Sequence, residues 1–334
     1  MKNIVPVTRE INFPDNKNLP ALFGAHNAHL SHLEKKLHVS ISDRGNILTL
    51  SGTHEAIDTA EKILKTLQKK IQSGHDVGTA EIDAELRFLE EKDTQDKSPA
   101  STGKPMSKND LTIQTKKKTI TPRSPHQADY IQAIAEHEMV FGIGPAGTGK
   151  TYLAVAMGVA MFLEGKVERL IFCRPAVEAG ERLGFLPGDM KEKVDPYLRP
   201  IYDAMHDMMP WDFVVKKMES GDIEIAPLAF MRGRTLNNAF VILDEAQNTT
   251  PTQMKMLLTR MGESSRMIVT GDLSQTDLPA GIKSGLRDAV ETLEGIEGIH
   301  FSRFTKEDVI RHHLVSKIVH AYEQKHSENA HNRD

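Results

Sequence analysis

Eight consecutive residues, Gly144-Pro145-Ala146-Gly147-Thr148-Gly149-Lys150-Thr151, constrain this chain more than any other stretch. Their glycines let the backbone turn tightly and take left-handed angles at little steric cost. Ahead of them lies a short apolar run, residues 139–142, with the length of a strand. Behind them, residues 153–163 form an apolar run of 11 with the length of a buried helix. A strand, a glycine turn and a helix in that order aim successive N–H groups at one point, which is an anion site. The spacing G-x-x-x-x-G-K-[ST] adds the Lys150 ammonium for terminal phosphate oxygens and the Thr151 hydroxyl for Mg²⁺. ATP with Mg²⁺ is therefore the ligand expected on residues Gly144, Pro145, Ala146, Gly147, Thr148, Gly149, Lys150 and Thr151.

The same alternation continues. Strands are expected over 138–142, 169–173, 240–243, 267–270 and 299–304, with helices over 150–163, 252–261, 282–293 and 306–321. An irregular insert separates the second strand from the third. Such a pattern predicts an α/β fold, a parallel sheet covered by helices on both faces. Residues 1–91 read as a smaller α+β unit. It has a helix pattern over 22–37, short strands over 39–41 and 47–50 around Asp43-Arg44-Gly45-Asn46, and a helix capped within Ser51-Gly52-Thr53. Ile57, Ala60, Ile63, Leu64 and Leu67 share one face of that helix, and a trailing helix covers 80–91. Between the units, residues 92–118 read as a linker. Its stretch 92–110 holds Ala100 and Met106 as its only apolar non-proline residues, too few to offset the entropy of ordering. The α/β domain is expected over 119–322, followed by a polar tail, 323–334.

Composition sets limits. A hydrophobic content of 39% with 26% charged residues suits a packed core. The net charge of −4 gives no bulk attraction to polyanions, so any nucleic-acid contact must be a local patch. One cysteine, Cys173, excludes an intrachain disulfide and is expected to pack at a buried strand end. The N-terminus has no secretory apolar segment, and the longest apolar run falls short of the ~20 residues that span a bilayer. A soluble, cytoplasmic protein without membrane contact is the expectation.

Two further strand ends carry chemistry. Residues 240–245, Phe-Val-Ile-Leu-Asp-Glu, end in paired carboxylates at the edge where parallel sheets bind ligands. Asp244 suits the carboxylate that holds Mg²⁺ through water, and Glu245 the base that polarises the attacking water. On the next strand, residues 268–275 place Asp272 and Gln275 where a γ-phosphate would lie. Arg232 and Arg234 flank a glycine before the Asp244 strand and suit phosphate or subunit contacts. Lys116, Lys117 and Lys118 suit phosphate contacts or a solvated linker end. His26, His29 and His32 stand three apart, without a carboxylate or cysteine that would complete a metal set.

GPAGTGKT, FMRGRTLNNAFVILDEAQN and TGDLSQTDLP, with RPAVEAGERLGFLPGD from Arg174 to Asp189, together resemble the PhoH-like P-loop ATPases over 119–322. The preceding unit resembles the KH-like domain of the YbeZ branch of that family. The resemblance implies a RecA-like domain similar to the first lobe of superfamily 1 helicases. It also implies ATP hydrolysis coupled to RNA binding or remodelling, in ribosomal RNA metabolism. A YbeY-type endoribonuclease is the implied partner, and an ATP-dependent adaptor of that nuclease is the alternative role. Gln127 matches a helicase glutamine that reads adenine, or is a first-turn helix residue. Gly24-Ala25-His26-Asn27 lacks the second glycine of a KH GXXG loop, which leaves RNA binding and protein docking both open for the first unit. One lobe instead of two implies a homo-oligomer completed by an arginine in trans, and the resemblance suggests a hexameric ring. Arg232, Arg234, Arg303 and Arg311 are candidates, Arg311 the favoured one.

Overall fold

A computed structural model describes residues 7–14, 16–95, 111–175 and 190–310, together with Val315 and Ile318. The described residues fall into two compact units, one within Met1–Asp110 with Thr121–Pro125, the other within Leu111–Ile120 and His126–Asp334.

The first unit runs β1 (Val7–Asn12), α1 (Leu19–Phe23), α2 (Ala28–Leu37), β2 (Ser40–Arg44), β3 (Ile47–Gly52), α3 (His54–Gln72) and α4 (Thr79–Gln95). The strands form an antiparallel sheet in the order β1-β3-β2. Leu22, Leu33, Leu48, Leu50, Ile57, Ile63 and Leu64 are buried in its core. Within the expected capping stretch it is Thr53 that caps α3, accepting from the Ala56 N–H. Two expectations need correction. The pattern over 22–37 is two helices, because Gly24, His26 and Asn27 all take positive φ and interrupt the ladder. The apolar spacing runs through the break because Leu22, Leu30 and Leu33 all face one core. Strand β1 was not anticipated. Its inward face carries Arg9, which donates to Asp58 (2.6 Å) and Glu61 (2.7 Å) on α3, so hydrophobic alternation does not show it.

The second unit opens with a small hairpin, β4 (Ile113–Gln114) and β5 (Thr119–Ile120). There follow α5 (Pro125–Glu136), β6 (Met139–Ile143), α6 (Lys150–Leu163), β7 (Arg169–Arg174), α7 (Met190–Met208), α8 (Trp211–Glu219) and β8 (Ile223–Pro227). The chain continues through β9 (Ala239–Leu243), α9 (Pro251–Leu258), β10 (Arg266–Gly271), α10 (Gly285–Leu293) and β11 (Ile299–Arg303). The sheet order is β11-β6-β10-β9-β7-β8, and every pairing is parallel. The central strands β6, β10, β9 and β7 are buried on both faces. Phe141, Val241 and Val269 share one cluster with Met254 and Leu257 of α9 and Leu286 of α10. On the other face α6 crosses β7, β9 and β10, and Gly158 lets it sit on the Phe240 ring. The α/β expectation holds.

Again there are differences. The insert contains helices α7 and α8 and a sixth strand, β8, whose Glu224 and Ile225 are only half buried at the sheet edge. Residues 111–118 are not linker. Lys117 donates to the His206 carbonyl (2.6 Å), Lys118 pairs with Asp207, and the Lys116 ammonium lies 3.4 Å from the centre of the Phe213 ring. These lysines therefore dock on α7 and α8 and do not present a free phosphate-binding run. The helix expected over 306–321 begins as a single 3-10 turn, Lys306–Asp308, because Thr305 and Asp308 close a capping box around it. Most of the remaining stretch lies outside the described residues.

One topological fact positions the site. β10 stands between β6 and β9, so four carboxyl ends lie side by side: Ile143, Gly271, Leu243 and Arg174. In an open parallel sheet that edge is where ligands bind.

Candidate active site

The glycine-rich turn between β6 and α6 is braced from three sides. Gly144 N–H donates to the Gly271 carbonyl (3.1 Å), tying the loop to β10. Ile310 N–H donates to the Gly147 carbonyl (3.0 Å), and Gln127 Nε2 donates to the Thr148 carbonyl (2.9 Å). Gly147 and Gly149 both take φ of 84°, left-handed angles that glycine adopts without strain. At Gly144 a Cβ would lie 2.6 Å from the Phe304 carbonyl oxygen, so the chain after β11 can approach the loop only because no side chain intervenes. Gly149 caps α6, whose first N–H groups lack intrahelical partners and converge on the loop's concave side.

Lys150 is buried and folded back onto the loop. Its Nζ donates to the carbonyls of Gly144 and Pro145, each at 2.7 Å. Burial pushes its ammonium below the ordinary lysine value, while Asp272, Asp244 and Glu245 act in the opposite direction. An arriving phosphate would meet a cation already desolvated and aimed at the loop's interior.

The carboxylates complete the edge. Asp244 is buried, and its Oδ1 accepts from Thr151 Oγ1 (2.6 Å) and Thr270 Oγ1 (2.7 Å). Its Oδ2 lies 3.1 Å from Arg174 Nε. Glu245 follows with φ of 54°, an unusual backbone angle for a glutamate that turns its side chain into the crevice mouth. Its two oxygens accept from Arg174 Nη2 (2.8 Å) and Gln247 Nε2 (2.6 Å). Gln247 in turn accepts from the Asp272 N–H (3.1 Å), linking the β9 and β10 ends. Asp272 Oδ1 accepts from Ser274 N–H and Oγ, whereas its buried Oδ2 has no protein partner among the described residues. Hydroxyl and carboxylate oxygens with one buried anionic oxygen left over suit a hard divalent cation that keeps several waters, which is the chemistry of Mg²⁺. Thr151 and Asp244 are the residues that would hold it.

The expected residues thus come together in most cases. Lys150, Thr151, Asp244, Glu245 and Asp272 share one crevice with the loop from Gly144 to Gly149. Gln275 lies in the exposed turn after β10, its N–H donating to the Asp272 carbonyl (3.1 Å). Gln127 is buried beneath the loop, with its amide engaged on Thr148. Arg234 is a correction: it forms a two-pronged pair with Glu224 at 2.6 and 2.7 Å and supports β8. Arg303 pairs with Glu294 (2.7 Å). Arg311 lies outside the described residues. Cys173 is fully buried on β7, where burial pushes its thiol far up and out of reactivity. His32 pairs with Asp83 (2.8 Å), and His29 Nδ1 sits 3.1 Å from the Leu22 carbonyl oxygen. Arg174 is the residue that site reasoning passed over. The signal was present, since the strand-end logic that singles out Asp244 applies equally to the last residue of β7.

No helix among the described residues is long and apolar enough to cross a membrane. Comparison with known proteins agrees with the motifs. The family model for PhoH-like proteins matches residues 119–323. A PhoH-like protein of Bacillus subtilis is 46% identical over 323 residues, covering 97% of this chain and 99% of its own length. One from Mycobacterium bovis is 49% identical over 304 residues, covering 90% and 84%. Protein PhoH of Escherichia coli K12 is 47% identical over 205 residues, 61% of this chain and 58% of its own. Among solved structures, the Pif1 helicase of Candida albicans aligns at 13% identity with a TM-score of 0.29, covering 55% of this chain and 40% of the helicase. With a family match over residues 119–323 and a Bacillus subtilis relative 46% identical along 97% of the chain, the protein belongs to the PhoH-like family.

Proposed function

We propose that this chain binds ATP with Mg²⁺ and hydrolyses it, and that RNA is the polymer on which the hydrolysis acts, in the cytoplasm. The observation that carries the reading is the 2.6 Å hydrogen bond from Thr151 to Asp244, which joins the phosphate loop to the acidic strand end. Thr151 and Asp244 would hold Mg²⁺ there, and the ion would supply positive charge against the terminal phosphate oxygens. The loop N–H groups and Lys150 hold the triphosphate chain. Glu245, at the crevice mouth, orients the water that attacks the γ-phosphorus and takes its proton as the bond to the ADP oxygen breaks. Gln275, on the turn after β10, is the side chain able to follow the γ-phosphate's presence.

Among the described residues the chain has one such parallel sheet, which supports assembly of several copies, with a hexameric ring as the proposed form and Arg311 as the arginine lent by a neighbour. The family resemblance supports RNA as the effector and a YbeY-type endoribonuclease as the partner. The test is the ATPase rate with and without single-stranded RNA at two salt concentrations. Acceleration by RNA that weakens with salt supports RNA as the effector. Acceleration by the nuclease alone would make the chain an ATP-dependent adaptor instead.

A further inference from the structure

Arg174 contacts both acidic groups of the site, yet the hydrolysis scheme above leaves it without a task. Its Nε lies 3.1 Å from Asp244 Oδ2 and its Nη2 2.8 Å from Glu245 Oε1. Its side chain is 15% exposed and that of Asp244 6%, so the guanidinium is largely withdrawn from water where charge interactions are strong. Its position is set by the backbone of β7, whose Cys173 is paired in register with Leu243 and whose Cys173 carbonyl accepts from the Asp244 N–H (3.0 Å).

The carboxylates of this crevice outnumber its cations, so where Arg174 places its charge bears on triphosphate binding. Asp244, Glu245 and Asp272 contribute three negative charges, with Lys150 the cation on the loop side. Among the described residues, Arg174 alone forms the salt bridges to Asp244 and Glu245. A divalent cation at Asp244 would place like charges on one carboxylate, which weakens the hold of Asp244 on the guanidinium. The γ-phosphoryl oxygens arriving beside Thr151 would offer the same guanidinium a new anion. Asp244 Oδ1 is 2.6 Å from Thr151 Oγ1 while its Oδ2 is 3.1 Å from Arg174. One carboxylate therefore separates the arginine from the hydroxyl that marks the metal position.

We propose that Arg174 is the site's own charge-neutralising arginine, held across Asp244 and Glu245 in this conformation and transferred to the γ-phosphoryl group of a bound nucleoside triphosphate. The inference rests on the ATPase reading above. Release from Arg174 also frees Glu245 Oε1 to accept from the attacking water, so one movement arms the base and supplies the positive charge. A planar guanidinium suits two phosphoryl oxygens at once, which an ammonium does not. In this account Arg174 acts in cis, beside the arginine that a neighbouring subunit lends.

The experiment compares the full chain with Arg174→Ala and Arg174→Lys, using ADP binding, trapping of ADP with aluminium fluoride, and single-turnover hydrolysis of ATP. Aluminium fluoride mimics the departing phosphoryl group, so its trapping reports the charge around that group independently of turnover. ADP affinity is expected to stay within about twofold in both variants, because the arginine has no part in holding the diphosphate. Trapping is expected to be lost in both, with single-turnover hydrolysis reduced roughly 10²–10³-fold in Arg174→Ala. Arg174→Lys retains a charge beside Asp244 and keeps the comparison valid should the alanine variant unfold. Intact trapping in the lysine variant, or an unchanged or faster rate in a folded alanine variant, overturns the proposal. Mixing Lys150→Ala with Arg174→Ala subunits should restore no activity, and recovery would move the arginine into trans. A parent protein that hydrolyses no ATP removes the ATPase reading and this inference together. Hydrolysis abolished by Glu245→Gln but untouched by Arg174→Ala removes this inference alone.

Discussion

At the scale of single residues, the site separates holding phosphate from activating water. Lys150 contacts the loop carbonyls, and Glu245 faces the crevice mouth from a left-handed backbone position. Lys150→Ala is therefore expected to weaken ATP binding at least tenfold, roughly 1.4 kcal/mol or more, while Glu245→Gln keeps binding and loses turnover. Equilibrium binding measured beside steady-state hydrolysis checks both, and normal turnover in Glu245→Gln would remove its assignment as the base. Gln127 poses a different question. Its Nε2 is engaged on the Thr148 carbonyl at 2.9 Å, so Gln127→Ala should loosen the loop and weaken ATP and GTP binding alike. A residue that reads adenine would show instead as lost discrimination between the two nucleotides.

The elements explain why the loop is held where it is. α6 lies close on the sheet because Gly158 faces the Phe240 ring, where an added Cβ would come within 2.8 Å of the ring carbon Cδ1. Gly158→Val is expected to push the helix off β9 and cost about 1–3 kcal/mol, read by chemical denaturation. Activity should fall further than stability predicts, since the same helix carries Lys150 and Thr151. On the β11 side, the His300 ring lies 4.9 Å from that of His137 at a tilt of 39°, and burial together with that neighbour pushes His300 below its ordinary value of 6.5. The unfolded chain then binds the proton more readily than the folded one. Stability is full above about pH 6.5 and is lost as pH falls below it. Unfolding midpoints at pH 7.5 and pH 5.5 should differ less in His300→Asn than in the parent.

At the scale of the molecule, the two units have separate cores: one built on Leu48, Leu50 and Ile63, the other on Phe141, Val241 and Val269. Between them in sequence, residues 96–110 hold Ala100 and Met106 as their only apolar non-proline residues. Deleting residues 1–100 is accordingly expected to leave a chain that unfolds cooperatively and binds nucleotide. Loss of either property in the truncated protein would show that the two units depend on each other. The hairpin of β4 and β5 must stay in any such truncation, because Lys117 and Lys118 anchor it to the C-terminal end of α7.

The local pattern alone carried the phosphate loop, helix α6 from Lys150 to Leu163, and the strand ending at Asp244, because each is specified by neighbours in sequence. Glycine conformation, apolar periodicity and a cap act over a few residues, and no distant contact overrides them. The break between α1 and α2, strand β1 and strand β8 were hidden for the opposite reason. Their side chains are satisfied across the fold: Arg9 by Asp58 and Glu61, and Glu224 by Arg234. A hydrophobic count cannot see an ion pair made 10 or 52 positions away. Arg174 belongs with them. Only the parallel pairing of β7 with β9 places its guanidinium on Asp244 and Glu245, some 70 residues along the chain, 71 in the case of Glu245.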